Sequence, residues 1–445
     1  MDNAVAILGA GMAGYGAAYH LDQAEVPTSV YEKRSSYGGH TSSFTTEKGF
    51  IFDEGPHVSF TEDTEIQKFL AEAVNHEYDT LKARFNNYWQ GYWIKHPVQV
   101  NLHGLPVELQ KSIVRDYFAA YHSPPPPERI DTFEDWLIAS YGATLAQTFP
   151  MVYGKKYHTT EASNMTTDWL GSRLYTPEPD ELLQGLLSPN SRDVHYVDHF
   201  RYPKTGGFQS YLSRFPAFES AVLHFGHEVV RIDPREGVLT FSNGEKRQHE
   251  HIISSIPLPS LIPMIGGVPD DVKRAARTLA YTRIVLVSLG VDRSDLSDAH
   301  VTYFYDPDIP FARVSFPHMF SAGNAPEGTG SIQAEIYFSD KYKPLHQPLG
   351  AFVPIVIDHL KECGILNSDN SIVDSDVRLI PYANVIFDLD RSEALETVHG
   401  FLDDIGISYC GRYGEWDHIW TDESFRSGQR EAQKIESKTC KELHL

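Results

Sequence analysis

The sequence predicts an α/β protein with three parts: a Rossmann-like dinucleotide-binding domain, a mixed or antiparallel β-sheet substrate domain and a helical subdomain. Three observations carry this. The apolar run Val5–Leu8 enters the spacing Gly9-x-Gly11-x-x-Gly14, and small and apolar residues then recur at helical spacing through MAGYGAAYHLDQ, which reads as strand, tight turn and helix. Residues from about 60 to 190 carry mainly helical periodicity. From about 200 the pattern alternates between turn signals, in HEVVRIDP, GVLTFSNGEKR and HIISSIP and on through TRIVLVSLGV, FARVSF and SIQAEIYF, as strands do.

Taken in order, Thr28–Glu32 is the second strand and closes a βαβ unit with an acidic residue at its tip. Residues 62–82 and 105–121 read as helices, SPPPPERI at 123–130 as a stiff connector, and DTFEDWLIASYG as another helix. The closing segment 374–411 holds a strand, a helix at 391–404 and a last strand entering Gly411, which returns the chain to its first domain. The expected division is therefore 1–60 with 200–260 and 395–445 as the discontinuous nucleotide-binding domain, 61–199 as the helical subdomain and 261–394 as the substrate domain.

Composition narrows the function. A chain of 445 residues, 41% hydrophobic and 12% aromatic, buries a substantial core. Lys+Arg 38 against Asp+Glu 60 gives a net charge of -22, which repels nucleic acid and anionic lipid, so neither is expected as a partner. An anionic ligand must then be held by locally concentrated arginines, backbone N–H groups and helix N-termini. Cys363, Cys410 and Cys440 are far apart with no CxxC pairing, so no disulfide framework and no metal site is expected, and a reducing cytoplasm fits. AVAIL runs straight into GAGMAG without a basic segment before it and reads as a strand, not a signal peptide. The longest other apolar run, IVLVSLGV at 284–291, is too short to span a bilayer.

In the glycine motif, Gly9 permits the tight turn, Gly11 lets the backbone of the Met12-Ala13 turn approach a pyrophosphate, and Gly14 allows close helix–strand packing. Glu32, 18 residues beyond Gly14, is placed to accept the hydroxyls of an adenosine ribose. NAD and FAD both use this unit. The next stretch, Glu32-Lys33-Arg-Ser-Ser-Tyr-Gly38-Gly39-His40-Thr41, points to FAD, because its Gly-Gly turn extends the row of N–H groups along the pyrophosphate. Val229, in HEVVRID, belongs to the strand expected against the adenine, and IISSIP at 252–257 to the strand that returns to the sheet. FAD is long, and its far end needs a second turn. Gly411-Arg412 supplies it, Ser424 lies at the expected N-terminus of the last helix, and Arg412 is placed to donate to the flavin pyrimidine edge.

With these motifs in place the chain resembles the flavin-dependent UDP-galactopyranose mutases, within the wider amine-oxidase and protoporphyrinogen-oxidase group of FAD proteins. The likeness spans almost the whole chain in short islands. FDEGPHVSF resembles the segment with a histidine beside the flavin, matched by His57. VYGKKYH and FRYPKTGG are similar to stretches with substrate tyrosines, matched by Tyr153 and Tyr202, and AEIYFS carries Tyr337 where the family contacts phosphate. DWLGSR resembles a helix that presents a phosphate-binding arginine, here Arg173, and IPFARV a strand whose arginine bridges the nucleotide diphosphate, here Arg313.

The resemblance implies a ring contraction of a nucleotide sugar without net redox change, with reduced FAD as the active form and its N5 as nucleophile. Arg173 and Arg313 would neutralise the diphosphate, Tyr153, Tyr202 and Tyr337 would add neutral hydrogen bonds, and His57 would act beside the flavin. The chain departs from the family at Phe60, where many bacterial members have a second histidine, at His158, where a tryptophan often stacks, and at His418, which replaces a tyrosine with a group titrating near neutrality. These departures point to an unusual sugar nucleotide or to a nucleotide other than UDP. Two other classes stay open: an FAD oxidase or desaturase acting on an amine, porphyrinogen or polyene, and an idle FAD-binding protein. Arg173 could equally be a surface side chain and His57 a core histidine.

Overall fold

The computed structural model describes residues 4–171, 173–189, 197–369 and 371–442, with side chains up to 437. Cys440 falls outside the described side chains.

A five-stranded parallel sheet forms the base of the molecule, in the order Ile407–Tyr409, His251–Ser254, Val5–Leu8, Thr28–Glu32, Ala221–Phe225. Val5–Leu8 is central and fully buried, as an all-apolar strand covered on both faces must be. Both returning strands expected from the sequence, 252–257 and the one before Gly411, pair where the chain re-enters this sheet.

The helix Met12–Gln23 leaves the first strand and packs along the last helix, Thr421–Glu442. Their contact depends on small residues. A Cβ on Gly16 would lie 2.0 Å from the carbonyl oxygen of Phe425, and one on Gly428 would lie 1.9 Å from that of Ala13. Only glycine lets the two backbones approach this closely.

Beside this base stands a mixed seven-stranded sheet, in the order Ile372–Ile380, Arg283–Val291, Gly330–Phe338, Arg313–Ser315, Val301–Phe304, Phe85–Trp89, Tyr92–Lys95. Its last two strands come from the segment expected to be mainly helical. The reason is local: FNNYW and YWIK meet at Gln90-Gly91, both with positive φ (47 and 83), the conformation of a two-residue hairpin turn. The helix expected over 62–82 likewise stops at Ala73, because Asn75 and His76 enter the left-handed region (φ 51 and 62). Tyr78–Lys82 then pairs antiparallel with His199–Pro203.

Helices Val107–His122, Phe133–Tyr141, Ala143–Thr148, Pro150–His158 and Pro179–Leu187 cover one side of this assembly. Phe133–Tyr141 starts in a capping box between Thr132 and Asp135, which satisfies otherwise orphaned N–H groups. Among the described residues no helix is long and apolar enough to cross a membrane.

Candidate active site

One cavity of about 890 Å³ runs from the C-terminal edge of the parallel sheet to the face of the seven-stranded sheet. At its first end two glycine turns lie against each other. Gly38 donates its N–H to the Ala10 carbonyl at 2.8 Å, and a Cβ on Gly39 (φ +55) would sit 2.9 Å from the Gly11 Cα. Gly9, Gly11, Met12, Ala13, Gly38, Gly39, His40 and Thr41 all line the cavity. Gly14 does not; a Cβ there would lie 2.0 Å from the Gly9 carbonyl oxygen, so it serves the helix–strand packing expected of it.

Glu32 ends its strand at this cleft, its carboxylate accepting the N–H groups of Ala10 and Arg34, each at 2.9 Å. Lys33, Arg34, Glu228 and Val229 complete the wall. Arg34 donates to both oxygens of Glu54 at 2.9 and 3.0 Å, which ties the second glycine turn to the segment carrying His57.

Gly411 (φ +74) closes the middle of the cavity, where a Cβ would meet Ala13 Cβ at 2.6 Å. Its N–H is held by Ser427 at 2.7 Å. Arg412 donates to the Ile419 carbonyl at 3.1 and 2.7 Å, which folds the aromatic turn 413–420 over the cavity. Ser424 lines the wall, but the last helix begins at Thr421, so Ser424 lies within its first turn and not at its N-terminus.

His57 also lines this part. Its Nδ1 lies 2.8 Å from the Gly55 carbonyl; since a carbonyl only accepts, Nδ1 carries the proton and Nε2 keeps its lone pair. Burial is the main cause that lowers its pKa to about 4, so the ring is neutral through the physiological range. His40 stands edge-on to it at 5.3 Å and is also held neutral by burial.

The far end is a polar aromatic chamber. Arg313 and Glu335 face each other across adjacent strands, with Arg313 Nε 2.6 Å from the fully buried carboxylate. Tyr337, two residues along the same face, donates to Glu335 as well. Burial opposes the Arg313 charge, but Glu335 and Tyr337 outweigh it and hold that pKa well above its ordinary value. Tyr153 and Tyr157, one helical turn apart, stack at 5.6 Å, and Tyr157 packs on Tyr337 at 4.7 Å. Tyr157 donates to Asn384 at 3.1 Å, and Arg412 reaches the same oxygen at 3.4 Å.

Arg173 lies in a turn, not on the expected helix, because Gly171 adopts φ +47. It donates to the Trp169 carbonyl at 3.1 Å and to the His418 carbonyl, with its guanidinium 5.0 Å from the Trp420 ring. Among the described residues it has no carboxylate partner. Burial, reinforced by Arg412 and Arg173, lowers the His418 pKa well below its ordinary value, so the expected titration near neutrality is corrected: His418 stays neutral.

The cavity thus gathers His57, Tyr153, Arg173, Arg313, Tyr337 and His418. Tyr202 is the exception. It is buried, donates to Asp53 at 2.8 Å and accepts from Asn324 at 3.2 Å; the buried Asp53 carboxylate needs donors, and Tyr202 supplies one away from the cavity wall. Residues the sequence reading passed over are Glu335, Tyr157, Tyr303, Trp169 and Asn384. Glu335 had a signal: a charged residue inside the otherwise mostly apolar strand GSIQAEIYF, two places before Tyr337.

A family model for flavin-containing amine oxidoreductases matches residues 12–436. The chain belongs to the flavin-containing amine oxidoreductase family. It is accordingly a flavin-dependent enzyme, and FAD is its cofactor. The first half of the cavity fits that cofactor: a Cβ at Gly9, Gly38 or Gly39 would come within 3.0 Å of a neighbouring atom, and Glu32 is already oriented by two backbone N–H groups.

Among solved structures, a reduced UDP-galactopyranose mutase has a TM-score of 0.92 at 24% identity, covering 98% of this chain and 94% of its own. A candidate protoporphyrinogen oxidase from Exiguobacterium sp. 255-15 has 0.75 at 14%, covering 98% of each chain. A putrescine oxidase double mutant has 0.65 at 15%, covering 98% of this chain and 99% of its own. The mutase resemblance read from the sequence therefore holds at the level of the fold.

Proposed function

We propose that this family member is a nucleotide-sugar mutase of the UDP-galactopyranose mutase type, converting a pyranose to a furanose without net redox change. One observation carries the reading: the chamber continuous with the flavin site is lined by Arg173, Arg313, His158, His418 and five tyrosines, Tyr153, Tyr157, Tyr303, Tyr305 and Tyr337. That is a surface for an anionic, hydroxyl-rich ligand. An amine or polyene would leave unpaired those donors of this set that are not already spent within the protein, at a cost of about 1–3 kcal/mol each.

FAD would lie along Gly9–Gly11, Glu32, Gly38–Gly39 and Gly411–Arg412, and in its reduced form it supplies a nucleophile at N5. Arg173 and Arg313 bind the departing diphosphate. Tyr153 and Tyr337, held neutral by burial, orient it without adding charge. The neutral His57 offers Nε2 as an acceptor beside the flavin turn and so holds a proton donor in place there. Arg173 ties the turn 413–420 to Trp169 beside the chamber.

The oxidase reading has its own support, the family membership itself. The two separate in one assay. UDP-galactopyranose is incubated with FAD-loaded protein with and without dithionite, and oxygen uptake is followed with putrescine. Ring contraction only under reduction supports the mutase; oxygen consumption with the amine and no sugar conversion overturns it.

A further inference from the structure

Around Arg173 three aromatic rings pack as one unit. Trp169 lies 5.1 Å from the ring of His158 on one side and 6.2 Å, nearly parallel, from that of His418 on the other. Arg173 clamps the unit by donating to the carbonyls of Trp169 and His418. Both histidines are more than nine-tenths buried, at 3% and 9% exposure, and both line the cavity.

In each ring Nδ1 is sealed from solvent and has no hydrogen-bond partner among the described residues. A proton there would be an orphaned N–H, among the rarest defects in folded proteins. Placed on Nε2, the remaining polar edge of a ring that lines the cavity, it is available to a ligand. The charged groups near His418 are Arg412, Arg173 and Arg313, with His158 beside them, and Asp417, whose carboxylate accepts the His418 backbone N–H at 2.6 Å. Near His158 burial alone lowers the pKa, to about 3. Asp417 is spent on that backbone N–H, and among the described residues no ion pair joins a carboxylate to either ring.

We propose that His158 and His418 are neutral donors, each presenting Nε2–H beside Arg173, and that they select ligands offering only acceptors, such as the diphosphate of a nucleoside diphosphate. The proposal rests on the mutase reading for its ligand. It also explains how a site can reject amines: an alkylammonium carries only donors, and here it would meet two N–H groups and three guanidiniums. The arrangement is the reverse of His57, whose Nδ1–H is spent on Gly55 and whose Nε2 accepts.

Glutamine reproduces the reach of an Nε2–H donor and asparagine that of Nδ1, which gives the test. UDP binding to FAD-loaded protein is measured by calorimetry for the parent, His158→Gln, His158→Asn, His418→Gln and His418→Asn, with FAD content and circular dichroism as fold controls. The Gln variants should stay within about threefold of the parent and the Asn variants should lose tenfold or more, with parental affinity flat from pH 7 to 8, above the ionisation of the ligand's own terminal phosphate at about pH 6. Independently, ¹⁵N long-range correlation spectra, assigned by the peaks missing in each variant, should show both rings as the Nε2–H tautomer. Equal losses for Gln and Asn, an Nδ1–H or protonated ring, failure of the parent to bind UDP, or putrescine binding at the same site would each overturn the proposal. A Gln/Asn split without ring contraction keeps the subsite and removes the mutase reading; ring contraction without the split does the opposite.

Discussion

Arg313 spends its Nε–H on Glu335, 2.6 Å away and fully buried. The residue best suited to bridge a diphosphate is therefore also the counter-ion of a carboxylate that has no access to water. Removing it leaves a buried charge with, among the described residues, Tyr337 as its remaining side-chain partner. Arg313→Ala should lose about 3–5 kcal/mol of stability, so its loss of activity would reflect unfolding as much as a missing phosphate contact. Arg313→Met with Glu335→Gln removes both charges and should recover most of that stability while leaving UDP affinity low. Urea titration of both variants checks it; equal stability of the single and double variants would show that the pair is not coupled.

Arg173 allows a cleaner reading of phosphate binding, because among the described residues no carboxylate depends on it. Arg173→Ala should weaken UDP binding by about 2–5 kcal/mol while the bound flavin spectrum stays unchanged. Part of the loss comes through the His418 carbonyl that Arg173 holds. Arg173→Lys, which keeps the charge but cannot fork between two carbonyls, should recover less than half of the lost binding energy. Calorimetry with UDP measures both, and full recovery by lysine would reduce the role of Arg173 to charge alone.

The nucleotide half of this site was legible because it is written locally. Gly9, Gly11, Glu32, Gly39 and Gly411 each meet a backbone requirement within a few residues of a recognisable strand end, and the parallel pairing of 251–254 and 407–409 follows from apolar runs that only a buried sheet accommodates. The substrate half is assembled from distant segments. Glu335 reaches Arg313 only through strand register, and Tyr202 is drawn away from the cavity by Asp53, 149 residues earlier. Spacing within one segment carries no trace of either contact. The hairpin at 85–95 was legible in principle, from the alternation in FNNYW and the Gln90-Gly91 turn, but the helical periodicity of its neighbours obscured it.

The glycine turns make the cofactor site testable without touching the substrate chamber. Gly39 has φ +55, and its missing Cβ would approach the Gly11 Cα to 2.9 Å. Gly39→Ala should push apart the two turns that cradle the pyrophosphate and release FAD, at a strain cost on the order of 1–2 kcal/mol. The purified variant should be pale, with flavin absorbance per protein reduced tenfold or more and circular dichroism unchanged. A variant as yellow as the parent would mean that the turns do not hold the cofactor.

Asp53 links the fold behind His57 to pH. Burial raises its pKa from 3.8 to about 6, against the opposing hydrogen bonds from Ser43, the Phe208 N–H and Tyr202. The folded carboxyl therefore binds its proton more tightly than the unfolded one, so its contribution to stability is greatest in acid, falls as pH rises from about 4 to about 6, and is flat above that. The whole change amounts to up to about 3 kcal/mol. Asp53→Asn keeps an acceptor for Ser43 and the Phe208 N–H and has no charge to desolvate. Its Tm relative to the parent should climb across that window and level off near pH 6.5, with the variant at least as stable as the parent at pH 7.5. Taking the difference between the two proteins cancels the opposite slopes of carboxylates such as Asp63, whose pKa is lowered. If the difference stays constant with pH, or the variant is the less stable at pH 7.5, Asp53 is ionised in the folded protein at no cost and its network stabilises the charged form.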